Sequence, residues 1–123
     1  MIGVFLDDER NPEDVKWVKY PANVDWCVVR RMSDFTAMLT NKGKFPDDMI
    51  ISFDHDIQDF THGEENTGYD CLKWLINYCI DNGCGMPKCY FHTMNPVGKA
   101  NMENLYNNYV RFEEDCDDRL CTK

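Results

Sequence analysis

Residues 49–56 read MIISFDHD, an apolar run that passes directly into two carboxylates and a histidine. Residues 2–9, IGVFLDDE, repeat this pattern, and residues 88–93, KCYFHT, give a third version that ends in a histidine and a threonine. Continuous apolar runs of this length are typical of strands in a parallel sheet, because helices cover both faces of such a sheet. Functional sites in these sheets lie at the carboxyl ends of the strands. We therefore expect the polar side chains that follow the three runs to share one edge of a sheet.

The rest of the chain alternates between strand and helix patterns. The predicted strands are residues 2–6, 26–30, 49–53 and 88–92, and the predicted helices begin after Ser33, Thr67 and Asn95. Strands that alternate with helices favour an α/β fold with a parallel sheet. With its first strand at the start of the chain, the pattern predicts a flavodoxin-like sheet, of order about 2-1-3-4, with flanking helices.

Local signals set the expected bounds of these elements. Ser33 is predicted to cap a helix over residues 34–42 that Gly43 ends. One helical turn is expected after Pro12. The loop over residues 56–66 is long for a compact domain, and long loops are often lids. The acidic end, about residues 113–123, is expected to be a solvated tail or a helix end.

The composition limits the class of protein. The chain of 123 residues suits a single domain over residues 1–123, and its 43% hydrophobic content favours a folded core. A formal net charge of −9 argues against an extended nucleic-acid surface, because such surfaces use Lys and Arg to contact phosphates. Seven cysteines without metal-binding spacing predict reduced thiols and a cytoplasmic protein. No apolar run is long enough to predict a membrane span, and the oligomeric state is left open.

Four acidic residues follow the first and third strands, namely Asp7, Asp8, Asp54 and Asp56. Clustered carboxylates repel one another, and a hard cation relieves this repulsion. We therefore predict that these four residues hold Mg²⁺ or Mn²⁺. The alternative is that they only solvate the starts of two loops.

Two histidines, His55 and His92, accompany the acids at the predicted strand ends. Histidine changes charge near neutral pH, so two of them around one phosphate can activate a nucleophile and protonate a leaving oxygen. We predict that His55 and His92 act as an acid–base pair and that Asp7 and Asp54 complete the catalytic set. The alternative is that one or both are ordinary hydrogen-bonded histidines.

A helix that begins near Asn95 is a candidate anion site, because its first N–H groups and positive dipole end face outward. Thr93 can donate a hydrogen bond, Gly98 lets the backbone come close, and Lys99 adds positive charge. We predict that Thr93, Asn95, Gly98 and Lys99 bind phosphate. The alternative is a plain capped helix with a spare lysine.

Arg10 is the other candidate for phosphate binding, since its planar guanidinium can hold a phosphate through two hydrogen bonds. Arg10 can equally form a structural ion pair with Asp8 or Asp56. The sequence does not decide between these two roles.

Several motifs, taken together, resemble one family. In chain order they are residues 5–12 (FLDDERNP), 51–56 (ISFDHD), 67–70 (TGYD) and 92–98 (HTMNPVG), followed by Asn101 and Met102. This set, over about residues 3–104, resembles the cyclic-phosphate-processing receiver-like domains. The resemblance implies a receiver-like, flavodoxin-type fold and a role in hydrolysing or processing cyclic phosphates on nucleotides or RNA ends.

The resemblance also implies roles for individual residues. Asp7 and Asp8 match the paired acids after the first strand, and Asp54 matches the phosphoacceptor aspartate of signalling receivers. The positions that match the family's added histidines and its hydroxyl are His55, His92 and Thr93. Signalling receivers carry a lysine at the end of a fifth strand, whereas this chain has only a poor strand pattern after residue 110.

Three functions are compatible with these observations. The favoured one is an enzyme of the phosphodiesterase or phosphoesterase type that hydrolyses a cyclic phosphate of a small nucleotide or of an RNA end. The second is a binding module that sequesters a nucleotide signal, or docks a partner, without turnover. The third is a receiver that accepts a phosphoryl group at Asp54, and the two histidines favour the first function over this one.

Overall fold

All four predicted strands are present, and they form one parallel sheet. The computed structural model describes residues 1–42, 45–60 and 65–121, and the side chains of residue 42 and of residues 113–121 lie outside the described set. The strands are β1 (Ile2–Leu6), β2 (Asp25–Val29), β3 (Ile50–Phe53) and β4 (Lys88–Phe91). Their order is β2-β1-β3-β4. This confirms the predicted order 2-1-3-4 and the receiver-like fold class.

The register of the sheet places the strand ends level with one another. Leu6 pairs with Phe53, and Phe53 pairs with Phe91. Backbone hydrogen bonds continue one residue further, from Asp54 N–H to Leu6 C=O (2.9 Å) and from His92 N–H to Phe53 C=O (3.0 Å). The first polar residue after each of these strands therefore lies at the same edge, as the apolar runs predicted.

Three helices flank the sheet, namely α1 (Met32–Lys42), α2 (Gly68–Asn82) and α3 (Pro96–Cys121), and a short 3₁₀ turn (Pro12–Asp14) follows β1. The Thr67 hydroxyl caps α2 in a capping box with Asp70, and Gly83 ends the helix in the left-handed conformation. The Asn95 side-chain oxygen accepts the Gly98 N–H at 3.0 Å and caps α3. The predicted helix starts after Thr67 and Asn95 are therefore confirmed.

The prediction that Ser33 caps the first helix is wrong. Helix α1 begins at Met32, so Ser33 lies inside it. The Met32 N–H donates instead to the side chain of Asp59 at 3.1 Å, a residue from the loop after β3. A cap supplied from 27 residues away leaves no local sequence signal. Gly43, the predicted end of this helix, lies outside the described residues.

The core lies on both faces of the sheet. The largest fully buried side chains include Phe5, Phe35, Phe53, Leu39, Ile51, Leu72, Leu75 and Met102. On α2, Leu72, Leu75, Ile76 and Cys79 are buried, whereas Ile80 on its last turn is exposed. The five cysteines whose side chains are described form no disulfide bonds with one another.

Two predicted segments fall partly outside the described residues. In the loop over residues 56–66, Ile57 and Asp59 are buried and Asp59 forms a bridge with Asn66, while residues 61–64 are not described. The lid therefore stays a prediction. At the acidic end the backbone of α3 continues to Cys121, so the helix-end alternative holds and the described residues contain no fifth strand. None of the described helices combines the length and the apolar character needed to cross a membrane.

Candidate functional site

Asp7, the first residue after β1, is fully buried and accepts three hydrogen bonds. One oxygen, Oδ1, accepts the backbone N–H groups of Glu9 (2.9 Å) and Arg10 (2.8 Å). The other, Oδ2, lies 3.0 Å from His92 Nε2. Burial raises the pKa of Asp7, but the hydrogen bonds from His92, Arg10 and Glu9 outweigh burial and bring this pKa to about 2. Asp7 is therefore a carboxylate at neutral pH.

His92, the first residue after β4, is also fully buried, and both of its ring nitrogens have partners. Nε2 faces Asp7, and Nδ1 lies 2.6 Å from the Ser52 hydroxyl. The ring stacks on Phe5 with 4.4 Å between centroids, and Trp17 Nε1 donates to the His92 carbonyl at 2.8 Å. The imidazole is therefore held beneath the sheet edge, with no nitrogen free to contact a ligand.

Asp54, the first residue after β3, differs from Asp7 in its electrostatics. It is 6% exposed, and its backbone neighbour His55 donates an N–H to Oδ1 at 2.9 Å. Burial, followed by the negative charge of Asp7, raises the pKa of Asp54, and a hydrogen bond with Thr93 offsets this only in part. Two carboxylates at neighbouring strand ends thus have pKa values that move in opposite directions.

His55 lies in a different environment from His92. Its Nδ1 is 2.9 Å from Asp56 Oδ1, and Asn95 donates to the other oxygen of Asp56 at 3.0 Å. These two hydrogen bonds lower the pKa of Asp56. The His55 ring also covers Gly98, where an added Cβ would overlap the ring. His55 thus ties the segment after β3 to the first turn of α3.

A cavity of about 420 Å³ opens at this edge of the sheet, within the range of roughly 300–1,000 Å³ typical of small-molecule sites. We call it the rim cavity, and its lining residues are Asp8, Glu9, Arg10, Asp54, Asp56, Gln58, Thr93, Met94, Asn95 and Pro96. It therefore brings together six of the predicted site residues, while Asp7 and His92 lie beneath it. His55 lines a separate concave surface with Thr67 and Tyr69.

Arg10 lies in the rim cavity and has a partner that the sequence did not suggest. Its guanidinium is 3.8 Å from Asp7 Oδ2 and 5.4 Å from the Trp17 ring centroid. The predicted alternatives, ion pairs with Asp8 or Asp56, are not formed among the described residues. Asp7 is the partner because the turn after β1 folds back over its own carboxylate.

Two residues of the predicted phosphate-binding set are not in the rim cavity. The Gly98 N–H donates to Asn95, and the His55 ring covers its Cα. Lys99 lines a different concave surface, together with Trp17 and Tyr90. A role for Gly98 or Lys99 in phosphate binding therefore stays a prediction, and the site described below does not use them.

Sequence reasoning missed several polar residues that support the site. The Arg30 guanidinium donates to the carbonyls of Asp7 (3.2 Å) and Arg10 (2.7 Å), which fixes the turn after β1. The Ser52 hydroxyl lies between His92 and the Tyr20 hydroxyl, 2.6 Å from each. The one available signal was Ser52 itself, a polar residue in an otherwise apolar strand; Tyr20 and Arg30 gave none.

The donor atoms at the strand ends fit a hard divalent cation better than a soft one. One ligand-capable atom each from Asp7, Asp54 and His92 lies within 4.8 Å of the others. The His92 nitrogens already have hydrogen-bond partners, so the atoms that remain are carboxylate oxygens, the ligands of Mg²⁺ and Mn²⁺. Of the predicted metal-binding residues, Asp8, Asp54 and Asp56 line the rim cavity and Asp7 lies below it. Burial, followed by the charge of Asp7, raises the pKa of Asp8, and a cation would relieve this crowding of negative charge.

Comparison with known proteins agrees with the fold. The cyclic-phosphate processing receiver domain matches residues 2–108 of the chain. Neither the curated proteins nor the solved structures gave a match. The matched region includes all four strands and each residue of the site described above. This chain therefore belongs to the cyclic-phosphate processing receiver domain family.

Proposed function

We propose that this protein is a phosphoesterase that opens a cyclic phosphate of a small nucleotide, or of an RNA end, in the rim cavity. The observation that carries the proposal is the position of Asp54 at the end of β3, beside Asp7 and against the rim cavity. The opposite directions in which the pKa values of Asp7 and Asp54 are moved support it. Environments that separate two such pKa values are a common sign of acid–base chemistry. Membership of the family supports a cyclic phosphate as the substrate.

In this proposal, Asp54 is the catalytic base because it reaches the rim cavity. It accepts a proton from a water molecule, whose oxygen forms a new bond to phosphorus. The P–O bond to one ring oxygen breaks, and that oxygen takes up a proton to become a hydroxyl group. The product is a phosphomonoester, and the proton that Asp54 accepted returns to the leaving oxygen or to solvent. A raised pKa makes Asp54 a stronger base than an ordinary aspartate.

The remaining residues bind and orient the phosphate. Arg10 supplies positive charge. The Thr93 hydroxyl forms a hydrogen bond with Asp54 and accepts one from the Asn95 backbone N–H at 3.2 Å. Four carboxylates in the rim cavity, from Asp8, Glu9, Asp54 and Asp56, would repel a phosphate if Arg10 were the only cation. We therefore include Mg²⁺ or Mn²⁺, which Asp8 and Asp56 would hold beside Asp54, since carboxylate oxygens fit such an ion. When bound, it supplies charge neutralisation and polarisation of the phosphoryl oxygen.

The two histidines hold carboxylates in this proposal. His55 orients Asp56 at 2.9 Å, and His92 orients Asp7 at 3.0 Å. A direct acid–base role for the pair stays a prediction, and the burial of His92 favours the carboxylates for proton transfer.

The test is a panel of 2′,3′-cyclic and 3′,5′-cyclic nucleotides incubated with the protein and Mg²⁺, with products followed by phosphorus NMR. We expect one class to be opened to a monoester, and Asp54→Asn to slow the reaction by roughly 10²–10⁴-fold, the usual effect of losing a general base. Asp81→Asn, which changes an exposed carboxylate at the far end of α2, is the matched control and should leave the rate unchanged.

Two results would contradict the proposal. If Asp54→Asn opens the substrate at the wild-type rate, Asp54 is not the base. If no member of the panel reacts but one binds tightly and is recovered intact, the protein is the binding module that the sequence left as the alternative.

A further inference from the structure

Four polar side chains form one continuous chain of hydrogen bonds through the sheet. The Tyr20 hydroxyl lies 2.6 Å from Ser52 Oγ, and Ser52 Oγ lies 2.6 Å from His92 Nδ1. His92 Nε2 lies 3.0 Å from Asp7 Oδ2, which completes the chain. Ser52, His92 and Asp7 are fully buried, and the side-chain hydrogen bonds of Ser52 and His92 are made only to their neighbours in this chain among the described residues. We call these four residues the relay.

The partners fix the direction of the relay. Asp7 is a carboxylate and can only accept, so His92 Nε2 carries a proton and donates it. If Nδ1 accepts from the Ser52 O–H, then Ser52 Oγ accepts from the Tyr20 O–H and every group is satisfied. In the opposite direction, the Tyr20 O–H would have no acceptor among the described residues and could donate only to solvent, so the first direction is favoured. Burial raises the pKa of Tyr20 to about 12, so Tyr20 keeps the proton that it donates.

The order of the last three residues resembles an Asp-His-Ser nucleophilic triad, but Ser52 cannot act as a nucleophile. It lies in the middle of the sheet on β3, fully buried, with its oxygen between Tyr20 and His92. A substrate in the rim cavity would not reach it. The relay therefore acts on the carboxylate end, where Asp7 Oδ1 holds the backbone N–H groups of Glu9 and Arg10.

We propose that Tyr20, Ser52 and His92 are positioning residues that lock Asp7, and through Asp7 the turn carrying Asp8 and Arg10, at the wall of the rim cavity. The effect of the relay on turnover rests on the proposed function, whereas its effect on the turn does not. The half-buried Tyr20 is the accessible end of the relay, on the opposite side of His92 from Asp7. A substitution at Tyr20 should therefore change the environment of the Arg10 backbone N–H.

The first test is NMR of the ¹⁵N-labelled protein without substrate. We expect His92 to carry its proton on Nε2, with Nδ1 as an acceptor. Tyr20→Phe removes one hydroxyl and keeps the ring contacts with Trp26 and Tyr90. It should shift the Nδ1 resonance of His92 and the amide resonances of Glu9 and Arg10. Tyr90→Phe is the matched control, since its hydroxyl has no hydrogen-bond partner among the described residues.

The second test is turnover of the cyclic phosphate identified above. Ser52→Ala and Tyr20→Phe should lower kcat by about 10–100-fold, the usual effect of removing an outer hydrogen-bond partner, while Tyr90→Phe retains wild-type activity. Should His92 carry its proton on Nδ1, or should Tyr20→Phe leave the Glu9 and Arg10 amides unmoved, the relay is wrong. If no cyclic phosphate reacts, the proposed function fails, and the NMR result alone then decides the relay.

Discussion

Replacing Asp7 with asparagine should make the stability of this protein less dependent on acid. Burial raises the pKa of Asp7, but hydrogen bonds from His92, Arg10 and Glu9 outweigh it and bring the pKa to about 2, against an ordinary value of 3.8. The folded protein therefore binds this proton more weakly than the unfolded chain does. The carboxylate stabilises the fold above about pH 4, and this stabilisation is lost as the pH falls toward about 2. The pKa difference corresponds to about 2 kcal/mol, of which about half is lost by pH 3.

Asp54 opposes part of this effect. Burial, and then the charge of Asp7, raise the pKa of Asp54, so Asp7→Asn also relieves a repulsion at neutral pH. The comparison is therefore made in two backgrounds, the wild-type protein and Asp54→Asn. In the Asp54→Asn background, the contribution of Asp7 to the free energy of unfolding is measured without the repulsion between the two carboxylates.

Urea unfolding, followed by the fluorescence of the three tryptophans, gives the free energy of unfolding at pH 7, 5, 4 and 3. We expect the gap between Asp54→Asn and the Asp7→Asn/Asp54→Asn double variant to shrink by about 1 kcal/mol between pH 7 and pH 3. Any cost of the asparagine that is independent of pH cancels in this comparison. Asp81→Asn, on the exposed end of α2, should show no such change. An equal gap at both pH values would refute the argument that hydrogen bonds hold Asp7 ionised.

Three further predictions concern the metal, the backbone and a cap. Calorimetric titration should show that Mg²⁺ or Mn²⁺ binds the wild-type protein and that Asp8→Asn removes this binding; equal affinities would exclude Asp8 as a ligand. Gly68→Ala should lower the free energy of unfolding by about 3 kcal/mol or more, because its Cβ would overlap the Asp54 carbonyl oxygen. Gly85→Ala, where the added Cβ meets open space, is its control in thermal unfolding, and equal losses would refute the overlap. Thr67→Ala should cost about 1 kcal/mol through loss of the α2 cap, whereas Thr40→Ala, which removes an exposed hydroxyl on α1, should stay within about 0.5 kcal/mol in the same assay.

The sequence by itself determined the sheet and the edge that carries the chemistry. Mainly apolar runs identify strands buried on both faces, and each run ends at an aspartate or a histidine. Because parallel strands all end at the same edge, Asp7, Asp54 and His92 were expected together without knowledge of any contact. Helix caps at Thr67 and Asn95 were equally readable, since a cap and the N–H that it accepts lie only three residues apart.

The tertiary structure decided what each of these residues can do. The role of His92 depends on Asp7, 85 residues away, and on Ser52, 40 residues away. Asp59 supplies the cap of α1, and the Tyr20 hydroxyl forms the second hydrogen bond of Ser52. Burial and hydrogen bonding set the pKa of Asp7 and Asp54 in opposite directions, although both are aspartates directly after a strand. Local sequence carries no record of such partners, because the sheet and the loops across its edge bring them together only when the chain is folded.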